Sequence, residues 1–291
     1  MTAPTAPPPP CPEDSCPEDS DRSVRMPPRA DCIADSAGGL TFDVTDHGSP
    51  DPAHLVLVDR ASGHTVRLPL TPTGEGRLRA SLPISVSLAE GRWDAYAQVA
   101  GDEPVRLMPG VNDLRSLVDR APSGSRGYVA VRIPYVTKNG NLTVRSWLRA
   151  PHAEAGELLI ADGELSVRGR MYGAVFTAKA YAEIRSRAVR GPVLRGELDW
   201  DGPEFTLRIG YDELREGRWD LWLRPAGDDG PRVRLARLLD DIADKKPIFT
   251  YPVARVTVAG RGELAAEAYY TGANDLSVQV SSVQIATSDR P

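Results

Sequence analysis

One five-residue unit, Glu-Gly-Arg-Trp-Asp, stands at 90–94 and again at 216–220. A recurrence at this distance constrains the fold more than composition does, because it implies two copies of one structural unit. The likeness extends on both sides. Leu88-Ala-Glu-Gly-Arg-Trp-Asp94 matches Leu214-Arg-Glu-Gly-Arg-Trp-Asp220, Ala100-Gly-Asp102 matches Ala226-Gly-Asp228, and Val105-Arg-Leu107 matches Val233-Arg-Leu235 after a two-residue insertion. Upstream, Leu40–Leu82 corresponds to Leu165–Ile209; downstream, Pro134 and Leu142 align with Pro252 and Leu264. The repeat is therefore about 125 residues long, which suits a sandwich of about seven strands.

The segments between these landmarks read as strands. Leu40–Thr45 alternates apolar and polar residues, His54–Val58 is a short apolar run, and Thr65–Leu70, Gly76–Leu82 and Arg92–Val99 follow, each bounded by Gly, Pro, Asp or Ser. Short alternating segments at about 8–12-residue spacing mark a sandwich or barrel. The expected fold is all-β: two tandem immunoglobulin-like antiparallel β-sandwich domains related by internal duplication, after a disordered N-terminal tail. The tail covers 1–36, the first domain 37–150 and the second 151–291. Two segments, 112–119 and 235–244, have a helical cast of one or two turns. The tail carries Pro7–Pro10 and Cys-Pro-Glu-Asp-Ser twice, at 11–15 and 16–20; such a segment buries too little apolar surface to offset its ordering entropy.

Within the repeated unit, each tryptophan is expected to fill the space between sheets. Arg92 and Asp94 would point to the opposite face and pair along the strand. The functional alternative is a tryptophan platform stacking on a sugar ring. Asn139-Gly140 is the favoured pair for a two-residue type I′ hairpin turn, which needs positive φ at both positions.

Composition narrows the function classes. A net charge of −5 gives no global drive toward nucleic acid. No apolar run is long enough for an integral membrane segment, and Met1–Pro10 has neither a basic nor an apolar region of a signal peptide, so a cytoplasmic location is expected. Cys11, Cys16 and Cys32 sit in or beside the tail, which leaves the domains without disulfides. His47, His54, His64 and His152 have no partners at metal-ligand spacing, and no Gly-x-Ser-x-Gly elbow or phosphate loop is present. Asp240, Asp241 and Asp244 read as a solvated helix face next to Lys245-Lys246. No metal, cofactor or catalytic residue is expected.

Pro134-Tyr-Val-Thr-Lys-Asn-Gly-Asn-Leu-Thr-Val144, the two Glu-Gly-Arg-Trp-Asp units and Leu239-Asp-Asp-Ile-Ala-Asp-Lys-Lys-Pro247 carry a resemblance. Over most of 40–285 the chain resembles β-sandwich accessory modules of actinobacterial proteins, often attached to glycosyltransferases or glycerophosphotransferases that build cell-surface polymers. The resemblance implies that catalysis, where the family has it, belongs to a domain this sequence does not contain.

Candidate binding residues come from two places. Between Ser166 and Gly196 stand Arg168, Arg170, Lys179, Arg185, Arg187, Arg190 and Arg195 against the single acid Glu183. Strand periodicity puts Arg168 with Arg170, and Arg185 with Arg187, on one face each. Neighbouring strands would merge them into a positive strip suited to phosphate or carboxylate. The second place is the domain junction, where Tyr135, Lys138, His152 and Glu154 are candidates, together with the hairpin turn that offers Lys138 and Asn141 to a polar ligand. The expected function is a non-catalytic binding or interaction module beside a cell-surface glycopolymer transferase, with a protein partner or an anionic glycopolymer held by the arginine face. The alternative is a transferase or hydrolase acting on a sugar or sugar phosphate at the junction.

Overall fold

The computed structural model describes residues 27–46, 48–118, 120–122 and 127–283, so Cys11, Cys16 and the Cys-Pro-Glu-Asp-Ser doublet lie outside the described residues. The chain is nearly all β. Its first ten strands are β1 Arg29–Ala34, β2 Leu40–Thr45, β3 Ala53–Asp59, β4 Thr65–Gly74, β5 Arg77–Leu82, β6 Gly91–Val99, β7 Val105–Arg106, β8 Met108–Asp113, β9 Val129–Val136 and β10 Leu142–Arg149. The next ten are β11 His152–Ala161, β12 Glu164–Tyr172, β13 Tyr181–Ser186, β14 Val193–Asp201, β15 Glu204–Gly210, β16 Gly217–Arg224, β17 Val233–Ala236, β18 Ala254–Val258, β19 Gly262–Tyr270 and β20 Leu276–Ser282.

Pairing runs β8-β1-β2-β5-β4-β3-β6-β10-β9 in the first set, with β7 also on β6. In the second it runs β13-β14-β15-β12-β11-β17-β16-β20-β19-β18, and β13 returns to β16. That return closes β13, β14, β15, β12, β11, β17 and β16 into a barrel-like ring. The first set follows the same order, with β7 and β8 together doing what β17 does alone. Most pairs are antiparallel, because alternating strands need only short hairpins. β1·β8 and β11·β17 are parallel, which corrects a wholly antiparallel reading.

The two sets match residue by residue. Trp93 and Trp219 are both buried, and each indole N–H donates to the carbonyl four residues earlier, Ala89 at 3.0 Å and Arg215 at 2.8 Å. Burial excludes either ring as a sugar platform. Leu40 faces Leu82 as Leu165 faces Ile209. The downstream alignment needs correction. Val144 pairs with Trp93 as Val278 pairs with Trp219, so Leu142 corresponds to Leu276 and not to Leu264. The slip arises because β18 and the long 237–253 connection, which have no counterpart among the described strands of the first set, precede β19.

Other local expectations also change. Arg29–Ala34 is a strand rather than tail, and Cys32 within it is completely buried in the core. The segment 235–244 is a short strand followed by irregular chain, and 112–119 contributes a strand end and a 3₁₀ turn, Arg115–Leu117. The Asn139-Gly140 hairpin is not type I′. Thr137 N–H donates to Asn141 O and Gly140 N–H to Thr137 O, both at 2.9 Å, and positive φ falls on Gly140 alone. This is a three-residue loop with its left-handed residue last.

The core does not divide where the strands do. The first buried cluster contains Phe42, Leu55, Trp93 and Trp147 together with Tyr172, Ala236 and Leu238 from beyond residue 150. Trp147 donates its indole N–H to Ala273 O at 3.2 Å, and Arg149 holds Asp275 at 2.7 Å.

Candidate functional site

The arginines predicted to form one strip are separated and neutralised. β12, which carries Arg168 and Arg170, is separated from β13 by two intervening strands, β14 and β15. Arg168 reaches Glu157 at 3.5 Å, and Arg170 pairs with Glu204 while lying over the Tyr172 ring. Arg185 binds Glu183 at 3.2 Å. Glu183 is itself buried and also takes Arg224 at 2.9 Å and Arg232 at 3.3 Å. Burial pulls its carboxyl pKa upward, and the arginines together outweigh that, so the group stays below the ordinary glutamate value. The acid that sequence counting set against seven cations is the hub of three of the chain's arginines.

Arg187 has a different neighbourhood. It lies just past β13, where its N–H donates to Arg218 O at 2.8 Å. Its guanidinium bonds Asp220 at 2.7 Å and Ser277 at 3.0 Å. Asp220 also holds Arg234 at 2.7 Å. The first set repeats this arrangement around Asp94, with Arg60, Arg106 and Thr143 in the matching places. The aspartate of each Glu-Gly-Arg-Trp-Asp unit thus pairs across strands, not with the arginine two residues before it. Arg218, freed from that role, donates to Gln279 Oε1 at 3.0 Å.

Arg187 and Arg218 line a groove of about 390 Å³ with Lys246, Phe249, Tyr269 and Gln279. Thr250, Thr271, Gly272 and the single acid Glu267 complete it. β16, β20 and β19 lie side by side and supply Arg218, Gln279 and Tyr269 from one face, since alternate residues of neighbouring strands share a face. The 237–253 connection folds over the edge and adds Lys246 and Phe249. Its shape is set by an inward ion pair: Lys245 is completely buried, binding Asp240 and the Ile242 carbonyl, so Lys246 next to it is turned to solvent. This replaces the expected helix face of solvated aspartates. Among the described residues, neither Arg218 nor Lys246 has a carboxylate partner. The groove therefore offers two cations without carboxylate partners among the described residues, a third shared with Asp220, two aromatic rings, an amide and three hydroxyls. Such a set binds an anionic group and an adjacent hydroxylated, partly apolar surface.

The junction quartet does not assemble. Tyr135 and Lys138 lie by the β9–β10 loop, whereas His152 follows the far end of β10, about 25 Å away at ~3.3 Å per residue. Asn141 belongs to that same loop, where its N–H meets Thr137 Oγ1 at 3.2 Å. His152 is completely buried with Nε2 2.6 Å from Glu154 Oε2. The Glu154 carboxylate also accepts the N–H groups of Leu238 and Leu239 at 2.9–3.0 Å. With its oxygens so occupied, Glu154 fastens the connection after β17, and the pair has no open side for a substrate.

Of the binding candidates read from sequence, only Arg187 lines the groove. Arg218 was visible inside the repeated motif and Lys246 inside the Lys-Lys doublet. Nothing in the local sequence marks Tyr269 or Gln279.

No protein-family model and no curated protein sequence matches the chain. Solved structures with some likeness include TarS of S. aureus, at 15% identity over 62% of this chain and 35% of that one, with a TM-score of 0.31. A pullulanase from Anoxybacillus sp. LM18-11, complexed with maltotriose, has 9% identity over 67% and 24% of the two chains, with a TM-score of 0.26. The chain spans about a third of TarS and a quarter of the pullulanase. At these scores the likenesses carry no argument about function. No helix among the described residues is long and apolar enough to cross a membrane.

Proposed function

We propose that the chain is a non-catalytic binding module for an anionic glycopolymer, held in the groove of Arg187, Arg218, Lys246, Tyr269 and Gln279, and that it works beside a transferase building a cell-surface polymer. The observation that carries this reading is the convergence of Arg218 and Lys246, cations without carboxylate partners, on a groove with aromatic and hydroxyl-bearing walls. The sequence-predicted Arg168, Arg170 and Arg185 are by contrast paired with acids, which favours this groove as the place where a ligand supplies the negative charge. The resemblance to polymer-transferase accessory modules points the same way. We further read the two strand sets as immunoglobulin-like sandwich units descended from one duplicated ancestor; the matching pair order and the matching Asp94 and Asp220 clusters support this.

Affinity electrophoresis through poly(glycerol phosphate) and through neutral dextran tests the function. The full chain is expected to be retarded by the charged polymer only, less so as salt rises. Arg218→Ala with Lys246→Ala should weaken binding at least tenfold, the loss of about 1.4 kcal/mol or more. Arg168→Ala with Arg170→Ala should leave it unchanged. Equal retardation of the double groove variant and the unmodified chain overturns the proposal.

A further inference from the structure

Because the two strand sets pair in one order, their open ends compare position by position, and they differ. In the second set Phe205 faces Trp200 on one side and Gly169 on the other. The matching residues of the first are Leu78, Pro72 and Val44. Leu223, opposite Ala182, corresponds to Ala97, opposite Leu55. Gly169 is what admits the larger ring, since a Cβ there would collide with Phe205. Phe176, from the connection after β12, then packs on Trp200 at 5.7 Å and on Phe205 at 6.1 Å between ring centroids. Inside the second barrel end the space is taken by the buried Phe176 and Phe205, with Trp200 on their solvent side beside an open surface groove.

The corresponding connection of the first set, 46–52, has no Phe, Tyr or Trp. With Leu78, Pro72 and Ala97 in place of Phe205, Trp200 and Leu223, and no counterpart of Phe176 among the described residues of this connection, there is an apolar cavity of about 480 Å³, walled by Val44, Leu70, Pro72, Leu78, Ala97 and Val99. Its rim carries Asp46, Asp51, Asp102 and Glu103. Asp46 accepts the Gly48 N–H at 2.8 Å, and among the described residues none of the four has a cationic partner. An apolar chamber of this size with a few convergent charges is the usual form of a ligand site.

We propose that this barrel end is a socket for an aromatic side chain carried on a basic segment of a partner protein. The second set identifies the aromatic group, because there the equivalent space is filled by rings, one of them presented by a loop. The four carboxylates identify the charge beside it, since a Lys or Arg next to the inserted ring would meet them at the rim. The site is separate from the groove on β16, β20 and β19 and does not depend on the function proposed for it.

The test is an NMR titration of the full chain, following the methyl groups of Val44, Leu70 and Leu78, with blocked tripeptides Lys-Trp-Lys, Glu-Trp-Glu and Lys-Ala-Lys and with tryptamine. Lys-Trp-Lys is expected to shift these methyls and to bind at least tenfold more tightly than the other three probes. Pro72→Trp with Leu78→Phe, copying the second set, should abolish the shifts. If that variant does not fold, Asp51→Asn with Asp102→Asn and Glu103→Gln, all at exposed positions, should weaken Lys-Trp-Lys about tenfold. Absence of methyl shifts, equal binding of Glu-Trp-Glu, or an unaffected rim variant overturns the proposal. Tryptamine binding as tightly as Lys-Trp-Lys overturns the partner segment in favour of a small aromatic amine.

Discussion

Glu183 shows how a single residue ties this fold to pH. Its folded pKa lies below its unfolded one, so the unfolded chain binds more protons in the interval between them. The stabilisation is complete above the unfolded value, about 4.3, and is lost as pH falls through the folded value. Asp94, where burial likewise acts upward and Arg60, Thr143 and Arg106 outweigh it, adds in the same direction. Urea melts of Glu183→Gln should show a loss of about 2 kcal/mol at pH 7, below the usual 3–5 for a broken buried pair because its arginines reach solvent. The difference from the unmodified chain should shrink between pH 5 and pH 3; a constant difference across that range refutes the role. Cys32 makes a second case. Burial pushes its thiol pKa far above the ordinary value, so iodoacetamide should label it only after unfolding. Peptide mapping that finds native-state labelling at Cys32 contradicts its burial. Both residues also mark what sequence could and could not reveal. A tryptophan repeated in one strand context announces its own burial. An acid among seven cations gives no sign of binding only one of them and two more distant arginines, because strand partners up to 49 residues away decide that.

The clearest difference between matching elements is in two loops. Thr271 N–H donates to Asp275 O and Asn274 N–H to Thr271 O, the same pattern that Thr137, Gly140 and Asn141 make in the first set. Asn274, with φ +61, takes the place of Gly140. The second loop is buried against β10, where Asp275 binds Arg149 at 2.7 Å and Arg234 at 3.2 Å. The first loop keeps Asn141 at the position of Asp275 and has no such partner pair. Asp275→Ala should therefore cost about 1–3 kcal/mol, because two partly buried guanidinium groups each lose one of two acids, Arg149 keeping Glu90 and Arg234 keeping Asp220. Asn141→Ala should stay within about 0.5 kcal/mol. Thermal melts giving equal losses would show that the loop at 271–275 does not join the strand sets. Turn chemistry was partly legible here: Asn-Gly correctly marks a hairpin. The turn type was not, since Lys138 joins the loop and positive φ falls on the glycine alone. The alignment slip at Leu264 has a similar cause, as sequence likeness cannot see that β18 is an added edge strand.

At the scale of the whole molecule, strands and core give different boundaries. Every strand ladder stays within 29–149 or within 152–282, which favours two independent folding units. The first core, however, is completed by Tyr172, Ala236 and Leu238, with Leu239 and Ala243 packed on it. Glu154 secures the connection that delivers several of them, through the N–H groups of Leu238 and Leu239. Cutting the chain at 150 would bare the surface that these side chains cover, and exposed core surface of this kind costs about 25 cal/mol per Å². The full chain is expected to melt in one calorimetric transition whose van't Hoff and calorimetric enthalpies agree. A 27–150 fragment should bind a hydrophobic dye and unfold at least 10 °C lower, whereas Glu154→Gln in the full chain should begin to split the single transition into two. Two resolved transitions in the unmodified chain, or a fragment as stable as the whole, would show that the strand boundary is also the energetic one. The coupling bears on function as well, because the groove and the first barrel end sit on opposite strand sets. Only a jointly folded chain presents both at fixed spacing.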